Sequence, residues 1–164
     1  MLCLVPTPIG NLEDISSRSL KVLEESELIF CEDTRVTKKL LILLGEKYNL
    51  GVSNKEYKSV HSHNENQILK TLDKDTFSKN VVYVSDAGMP CVSDPGATLV
   101  DFCIKNQIPY DVLPGANAIL TAYAMSGFTQ TTFSFYGFLD HKGASRASKL
   151  DEILNDDKLS ILYE

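Results

Sequence analysis

The sequence predicts an α/β fold: a mostly parallel sheet flanked by helices. Short β-branched or apolar runs alternate with longer stretches of helical periodicity, the pattern of βα units. Val81–Ser85 is apolar at nearly every position, as expected of a strand covered on both faces. With 164 residues, 43% hydrophobic and 23% charged, the chain has material for a real core and is not intrinsically disordered.

The elements follow in order. Leu2–Val5 reads as the first strand, and Asn11 or Asp14 can cap a helix carrying Leu12, Ile15, Val22 and Leu23 near one face. Leu28–Cys31 is a short strand, and a second helix is expected from Thr34 to a stop at Gly45. The pattern loosens over Glu46–Lys58, then a strand is expected around Ser59–His61 and a helix from Asn64 with Ile68, Leu69 and Leu72. After Val81–Ser85, Asp94 caps and Pro95 opens a helix with Leu99, Val100, Cys103 and Ile104 turned inward. Tyr110–Leu113 is the next strand, and Pro114-Gly115 leads into a helix ending at Gly127. A strand at Thr132–Phe138, a helix at Ala144–Asp156 and a strand at Leu159–Tyr163 close the chain.

Two units are expected: an α/β domain over residues 1–115 and the truncated start of a second over 116–164. The end at Glu164 in mid-strand suggests a fragment, so turnover is expected to be weak or absent.

Sixteen Lys+Arg against 22 Asp+Glu give a net charge of −6, which disfavours a wholly basic nucleic-acid binder. The acidity is uneven. Residues 1–82 carry eleven bases and twelve acids, whereas Arg35, Lys38, Lys39, Lys47, Lys55 and Lys58 face only Glu46 and Glu56 within 35–58. Tyr48 and Tyr57 lie among these bases, and cations with aromatics suit exposed RNA, although a solvated surface loop has the same composition. Cys3, Cys31, Cys91 and Cys103 form no C-x-x-C pair and no signal peptide precedes them, which fits reduced thiols in the cytoplasm. The longest apolar run, Leu40–Leu44, is far shorter than the roughly 20 residues that span a bilayer, so no membrane role is expected.

Three loops follow strands: Pro6–Asn11, Ser85–Pro90 and Pro114–Asn117. Beyond the carboxyl ends of strands such small residues let backbone approach a ligand, although Gly and Pro also simply turn a chain. Neither G-x-G-x-x-G nor G-x-x-x-x-G-K-[ST] is present, so a dinucleotide or triphosphate cradle is unsupported. An adenosyl compound held by amide and carbonyl groups suits the pattern.

The segments Val5–Ile15, Glu32-Asp33-Thr34-Arg35, His61-Ser62-His63-Asn64-Glu65, Ser85–Gly96 and Leu113–Ala118 occur in this order. So arranged, they closely resemble bacterial 2′-O-ribose methyltransferases of small-subunit ribosomal RNA, within the tetrapyrrole-methylase-like class of S-adenosylmethionine enzymes. The resemblance spans essentially the whole chain. It implies S-adenosylmethionine as cofactor, small-subunit ribosomal RNA as partner, a decoding-region cytidine as target and a homodimer. It also implies cofactor contacts at Pro8, Gly10, Ala87, Gly88, Met89, Val92, Ser93, Pro114, Gly115 and Ala116. Met89, Cys91 and Asn117 depart from residues common in the family.

Ribose methylation needs aligned reactants and help with the hydroxyl proton. Asp33, Arg35 and Asp86 are the candidate catalytic residues, with Glu32 beside them. Asp33 could equally cap the following helix while Arg35 pairs with Glu32, and Asp86 could be a plain turn former. Arg35, Lys38, Lys39, His61 and His63 are the candidate RNA contacts. His61 and His63 would share a face of a strand, but with Glu65 they make no convincing ligand set, and no metal is expected. A small-molecule methylase of tetrapyrrole-like substrates and a non-catalytic cofactor-binding or dimerisation module are the alternatives.

Overall fold

The computed structural model describes Met1–Glu164, which divide into two units, Met1–Ala116 and Asn117–Glu164. The first unit is built on five strands: β1 (Leu2–Leu4), β2 (Leu28–Cys31), β3 (Glu56–Ser59), β4 (Val81–Val84) and β5 (Tyr110–Val112). All pairings are parallel and the order is β3-β2-β4-β1-β5. Between them lie α1 (Ser17–Glu25), α2 (Thr34–Tyr48), α3 (Glu65–Leu69) and α4 (Ala97–Asn106), with 3-10 turns at Leu12–Asp14 and Lys74–Ser78.

The period of two along each strand sorts the core into two layers. Leu2, Leu4, Leu28, Phe30, Val81 and Tyr83 pack with Phe77 and with Leu99 and Cys103 of α4. Cys3, Ile29, Cys31, Val82 and Val84 pack oppositely with Leu23 of α1 and with Leu41 and Leu44 of α2. A sheet covered on both faces explains why β2 and β4 are wholly apolar.

Several expectations are corrected. Helix α2 runs through Gly45 to Tyr48, and Asn49 ends it in the left-handed conformation at φ 56°. Gly45 is thus an interior residue, tolerated at a modest helix-propensity cost. Strand β3 lies at Glu56–Ser59 rather than 59–61, because Leu28–Cys31 pair in register with Glu56–Ser59. It is an edge strand whose Glu56 and Lys58 face solvent, so an apolar run does not mark it. Asn11 caps only the 3-10 turn, Asp14 lies inside that turn, and α1 starts under Ser16, which accepts from the Ser19 amide. Helix α4 is capped by Gly96 without a side-chain bond, so Asp94 and Pro95 precede it. Ile104 is 57% exposed, on the solvent side of α4.

The second unit comprises α5 (Ala118–Ser126), β6 (Phe133–Phe138), α6 (Ala144–Leu154) and β7 (Leu159–Tyr163). Strands β6 and β7 pair in parallel, and the Phe135 and Tyr163 rings meet edge to face at 5.1 Å. Asp156 accepts from the hydroxyls of Ser134 and Tyr136 at 3.0 and 2.9 Å, fixing the turn before β7 on β6. No helix in either unit is long and apolar enough to cross a membrane.

Phe30 is fully buried at the centre of one layer, its ring 6.4 Å from that of Phe77. Phe30→Ala is expected to lower the unfolding free energy by about 3–5 kcal/mol in urea denaturation, through lost burial and the cavity left behind.

Candidate functional site

Because the five strands are parallel, their carboxyl ends and following loops lie along one edge of the sheet. The loops after β1 and β2 lead to α1 and α2 on one face, and that after β4 leads to α4 on the other. A crevice opens where neighbouring connections leave for opposite faces, here around the end of β4.

Backbone bonds fix this edge. Thr7 and Gly88 exchange both main-chain bonds, Thr7 N–H to Gly88 carbonyl at 2.9 Å and the reverse at 3.0 Å. The buried Thr7 hydroxyl donates to the Ser85 carbonyl at 3.2 Å, and the Ser85 hydroxyl donates to the Gly88 carbonyl at 3.3 Å. Gly88 holds φ at +85°, and a β-carbon there would lie 3.2 Å from Ile9. At Gly115 a β-carbon would fall 2.6 Å from Cβ of Pro6, so only glycine lets the third loop rest on the first. The three small-residue loops therefore converge, and a β-carbon on Gly88 would lie 3.9 Å from the Ala116 carbonyl oxygen.

Within this cluster Gly88 is buried, Pro8, Met89 and Ala116 are half-buried, and Gly10, Ala87, Pro114 and Gly115 are exposed. Val92 and Ser93 lie further along the loop after β4, Ser93 being held at φ 60°. Ser93 lines a recess of about 370 Å³ with Glu32, Ser62, Glu65, Asp94 and Thr98, where the Thr98 hydroxyl donates to Glu65 at 2.9 Å.

The carboxylates near the ends of β2 and β4 split into two kinds. Burial raises Asp86, an effect opposed by the Asp33 amide, which donates to its Oδ1 at 3.1 Å, and reinforced by the Asp33 charge. Burial is also the main cause that raises Glu32 and Asp94, with Asp86 adding repulsion to both. Asp33 differs: the Arg35 guanidinium, 2.5 Å away, holds its carboxyl down at about 2. Asp33 also caps α2 by accepting from the Arg35 amide at 2.8 Å. Of the two local roles open on sequence alone, the Asp33 cap is present, whereas Arg35 pairs with Asp33 and not with Glu32.

The basic strip is largely occupied by local partners. Lys47 pairs with Glu13 at 2.8 Å, Lys58 with Glu56 at 3.5 Å, and Lys55 donates to the carbonyls of Glu24 and Ser26. Lys38 and Lys39 are exposed on α2, Lys38 lying 5.0 Å from the Tyr57 ring centre. His61 and His63 lie beyond β3, in a turn and not on a strand face. There the His63 amide donates to Nδ1 of His61 at 3.3 Å, and the rings stand 5.9 Å apart. Histidine, cysteine and acidic side chains nowhere gather in threes that could hold a metal ion.

Sequence reasoning placed Pro6 and Thr7 in a candidate loop but gave neither a role, and it read Asp94 only as a cap. Long-range backbone pairing leaves no local signal for Thr7, whereas Asp94 stands next to Ser93 in a loop already singled out.

Replacing Arg35 by Gln is expected to return the Asp33 carboxyl from about 2 towards the ordinary ~3.9, read by carboxyl-carbon NMR titration. Because the folded value is lowered, this small stabilisation exists above the unfolded value and is lost as pH falls through about 2. The stability difference between wild type and variant should accordingly vanish at the acid end.

A family model described as "Tetrapyrrole (Corrin/Porphyrin) Methylases" matches residues 1–164. A Campylobacter fetus protein named ribosomal RNA small subunit methyltransferase I is 51% identical over 165 residues, covering 100% of this chain and 61% of that protein. The like-named Helicobacter pylori protein (strain 26695) is 46% identical, covering 94% and 56%, and that of Hydrogenobaculum sp. is 43% identical, covering 99% and 68%. The chain thus spans about three-fifths of the length of the curated relatives it matches. Among solved structures, uroporphyrin-III-C-methyltransferase from Thermus thermophilus superposes with a TM-score of 0.56 at 21% identity, over 87% of this chain and 61% of that one, a likeness of fold. The parallel sheet, the loops at its carboxyl edge and the match along the whole chain place this protein in the tetrapyrrole methylase family, beside the relatives named ribosomal RNA small subunit methyltransferase I.

Proposed function

We propose that the protein uses S-adenosylmethionine to methylate the 2′-hydroxyl of a ribose, a cytidine of the decoding region, in small-subunit ribosomal RNA. The observation that carries this reading is the convergence of three small-residue loops on one sheet edge, in a chain 51% identical to a protein named for ribosomal RNA methylation. The residues suit the cofactor, since Gly88 and Gly115, whose β-carbons would press on Ile9 and Pro6, let the three small-residue loops meet at one edge. Pro8, Gly10, Ala87, Gly88, Met89, Pro114, Gly115 and Ala116 would hold it, with Val92 and Ser93 at the far end of the middle loop. When bound, it supplies a methyl group activated on a sulfonium.

The chain's own groups then divide the work. Asp86, raised by burial, accepts the proton of the ribose hydroxyl, the role a carboxylate serves best when its pKa is lifted towards the working pH. Asp33 stays ionised and holds the Arg35 guanidinium, which faces an RNA phosphate. Lys38 and Lys39 extend that cationic surface along α2, with His61 and His63 as further RNA contacts. The protein acts as a homodimer in the cytoplasm. Tetrapyrrole-like substrates are the second reading, and the methyltransferase of similar fold favours it only at the level of architecture.

Calorimetry with S-adenosylmethionine should show binding, and its absence would overturn the cofactor assignment. Mapping ribose methylation on small-subunit RNA from cells lacking the gene should reveal one lost mark; an unchanged map refutes the substrate. Asp86→Asn keeps the acceptor for the Asp33 amide and is expected to cut kcat by about 10²-fold or more at unchanged melting temperature. A Lys38→Gln, Lys39→Gln double variant should weaken binding to single-stranded RNA and flatten the slope of log K against log salt by roughly 1.4. Cofactor affinity should stay as in wild type; its loss would remove these lysines from the RNA surface.

A further inference from the structure

We propose that Thr7 is the positioning residue for the cofactor site, a role that rests on the reading above but has its own physical basis. Neither Thr7 nor Pro6 belongs to the set expected to line the cofactor, yet each binds one of the other two loops to the first. Pro6 receives Gly115 at a distance that excludes any side chain. Thr7 holds Gly88 through both main-chain bonds, an isolated antiparallel bridge at the end of a parallel sheet.

The hydroxyl makes Thr7 more than a pairing partner. It is 1% exposed, donates to the Ser85 carbonyl at 3.2 Å, and lies beside the Ser85 hydroxyl bond to the Gly88 carbonyl. Ser85 directly follows Val84, the last residue of β4, so this bond fixes the point where strand becomes loop. A methyl group in its place would leave the buried Ser85 carbonyl without that donor. Of the hydrogen bonds between this loop and the one after β1, only the Thr7–Gly88 pair would then remain, and the register between them would loosen. Valine has nearly the shape of threonine, so the core above β1 loses no volume in such a variant.

Thr7→Val and Thr7→Ser test this directly. In the ligand-free protein, hydrogen exchange at the Gly88 amide should quicken about tenfold in Thr7→Val and return to near the wild-type rate in Thr7→Ser. In the presence of S-adenosylmethionine, Thr7→Val should raise Kd and KM for the cofactor five- to tenfold with kcat within twofold, and Thr7→Ser should restore both. Unchanged Gly88 exchange and unchanged Kd in Thr7→Val would overturn the proposal, as would a Thr7→Ser variant as impaired as Thr7→Val. A lowered melting temperature with Kd unmoved would assign Thr7 a structural role alone and equally refute it. If the wild-type protein binds no S-adenosylmethionine, the functional reading fails by itself, and the exchange of Gly88 still decides whether Thr7 holds the loop.

Discussion

Strand β4 lies at the middle of the five-stranded sheet, paired on both sides and covered on both faces, and the rest of the first unit is arranged around it. Val81–Val84 pair with Leu28–Cys31 of β2 and Val81–Tyr83 with Leu2–Leu4 of β1, so the strand is hydrogen-bonded in parallel on both sides. Being parallel, the neighbours end on the same edge. Being wound to opposite faces, their connections part there. The chain therefore meets two demands with one device: a strand that anchors both core layers also delivers Ser85 and Asp86 to the crevice mouth. Tyr83 shows the coupling, since its ring belongs to the core layer while its hydroxyl donates to the Val60 carbonyl at the end of β3.

The electrostatics of this edge follow from geometry more than from net charge. Glu32, Asp86 and Asp94 are raised because the loops that carry them fold down against the sheet, removing water from one side of each carboxylate. Asp33, one residue from Glu32, escapes the same fate because its side chain turns outward to Arg35. Adjacent residues thus end with opposite shifts, decided by which way the backbone turns at the close of β2. The surplus of bases within residues 35–58 is likewise reduced by pairing: Lys47, Lys55 and Lys58 serve the fold, and the cationic surface narrows to the first turns of α2.

Much of this was legible in the sequence. Apolar runs located β1, β2 and β4 because central parallel strands are buried throughout, and the loops after β1, β4 and β5 stood out by their small residues. What escaped notice was whatever depends on partners distant in the chain. Strand β3 reads as Glu-Tyr-Lys-Ser, a pattern that becomes a strand only because β2 offers it an edge. Gly45 looked like a helix stop, yet Leu44 is buried under the sheet and the packing carries α2 onward to Asn49. Ile104 looked inward by hydrophobicity alone, although Leu99 and Cys103 already fill the face of α4 that meets the core. Thr7 lay in one of those loops with nothing local to mark its role, which depends on Gly88 and Ser85, about eighty residues away.

Asp33 joins the two halves of the site. Its side chain accepts from the Arg35 amide and grips the Arg35 guanidinium, while its own amide donates to Asp86. One residue thus sets the position of the cationic group at the start of α2 and steadies the carboxylate at the end of β4. The amide bond favours the charged form of Asp86 and so works against burial, the main cause that raises it. A change of the Asp33 side chain would free Arg35 and uncap α2, yet it would leave the amide that reaches Asp86 in place. Loss of activity in such a variant would therefore speak of how the cationic group is held, and it would not by itself make Asp33 the proton acceptor.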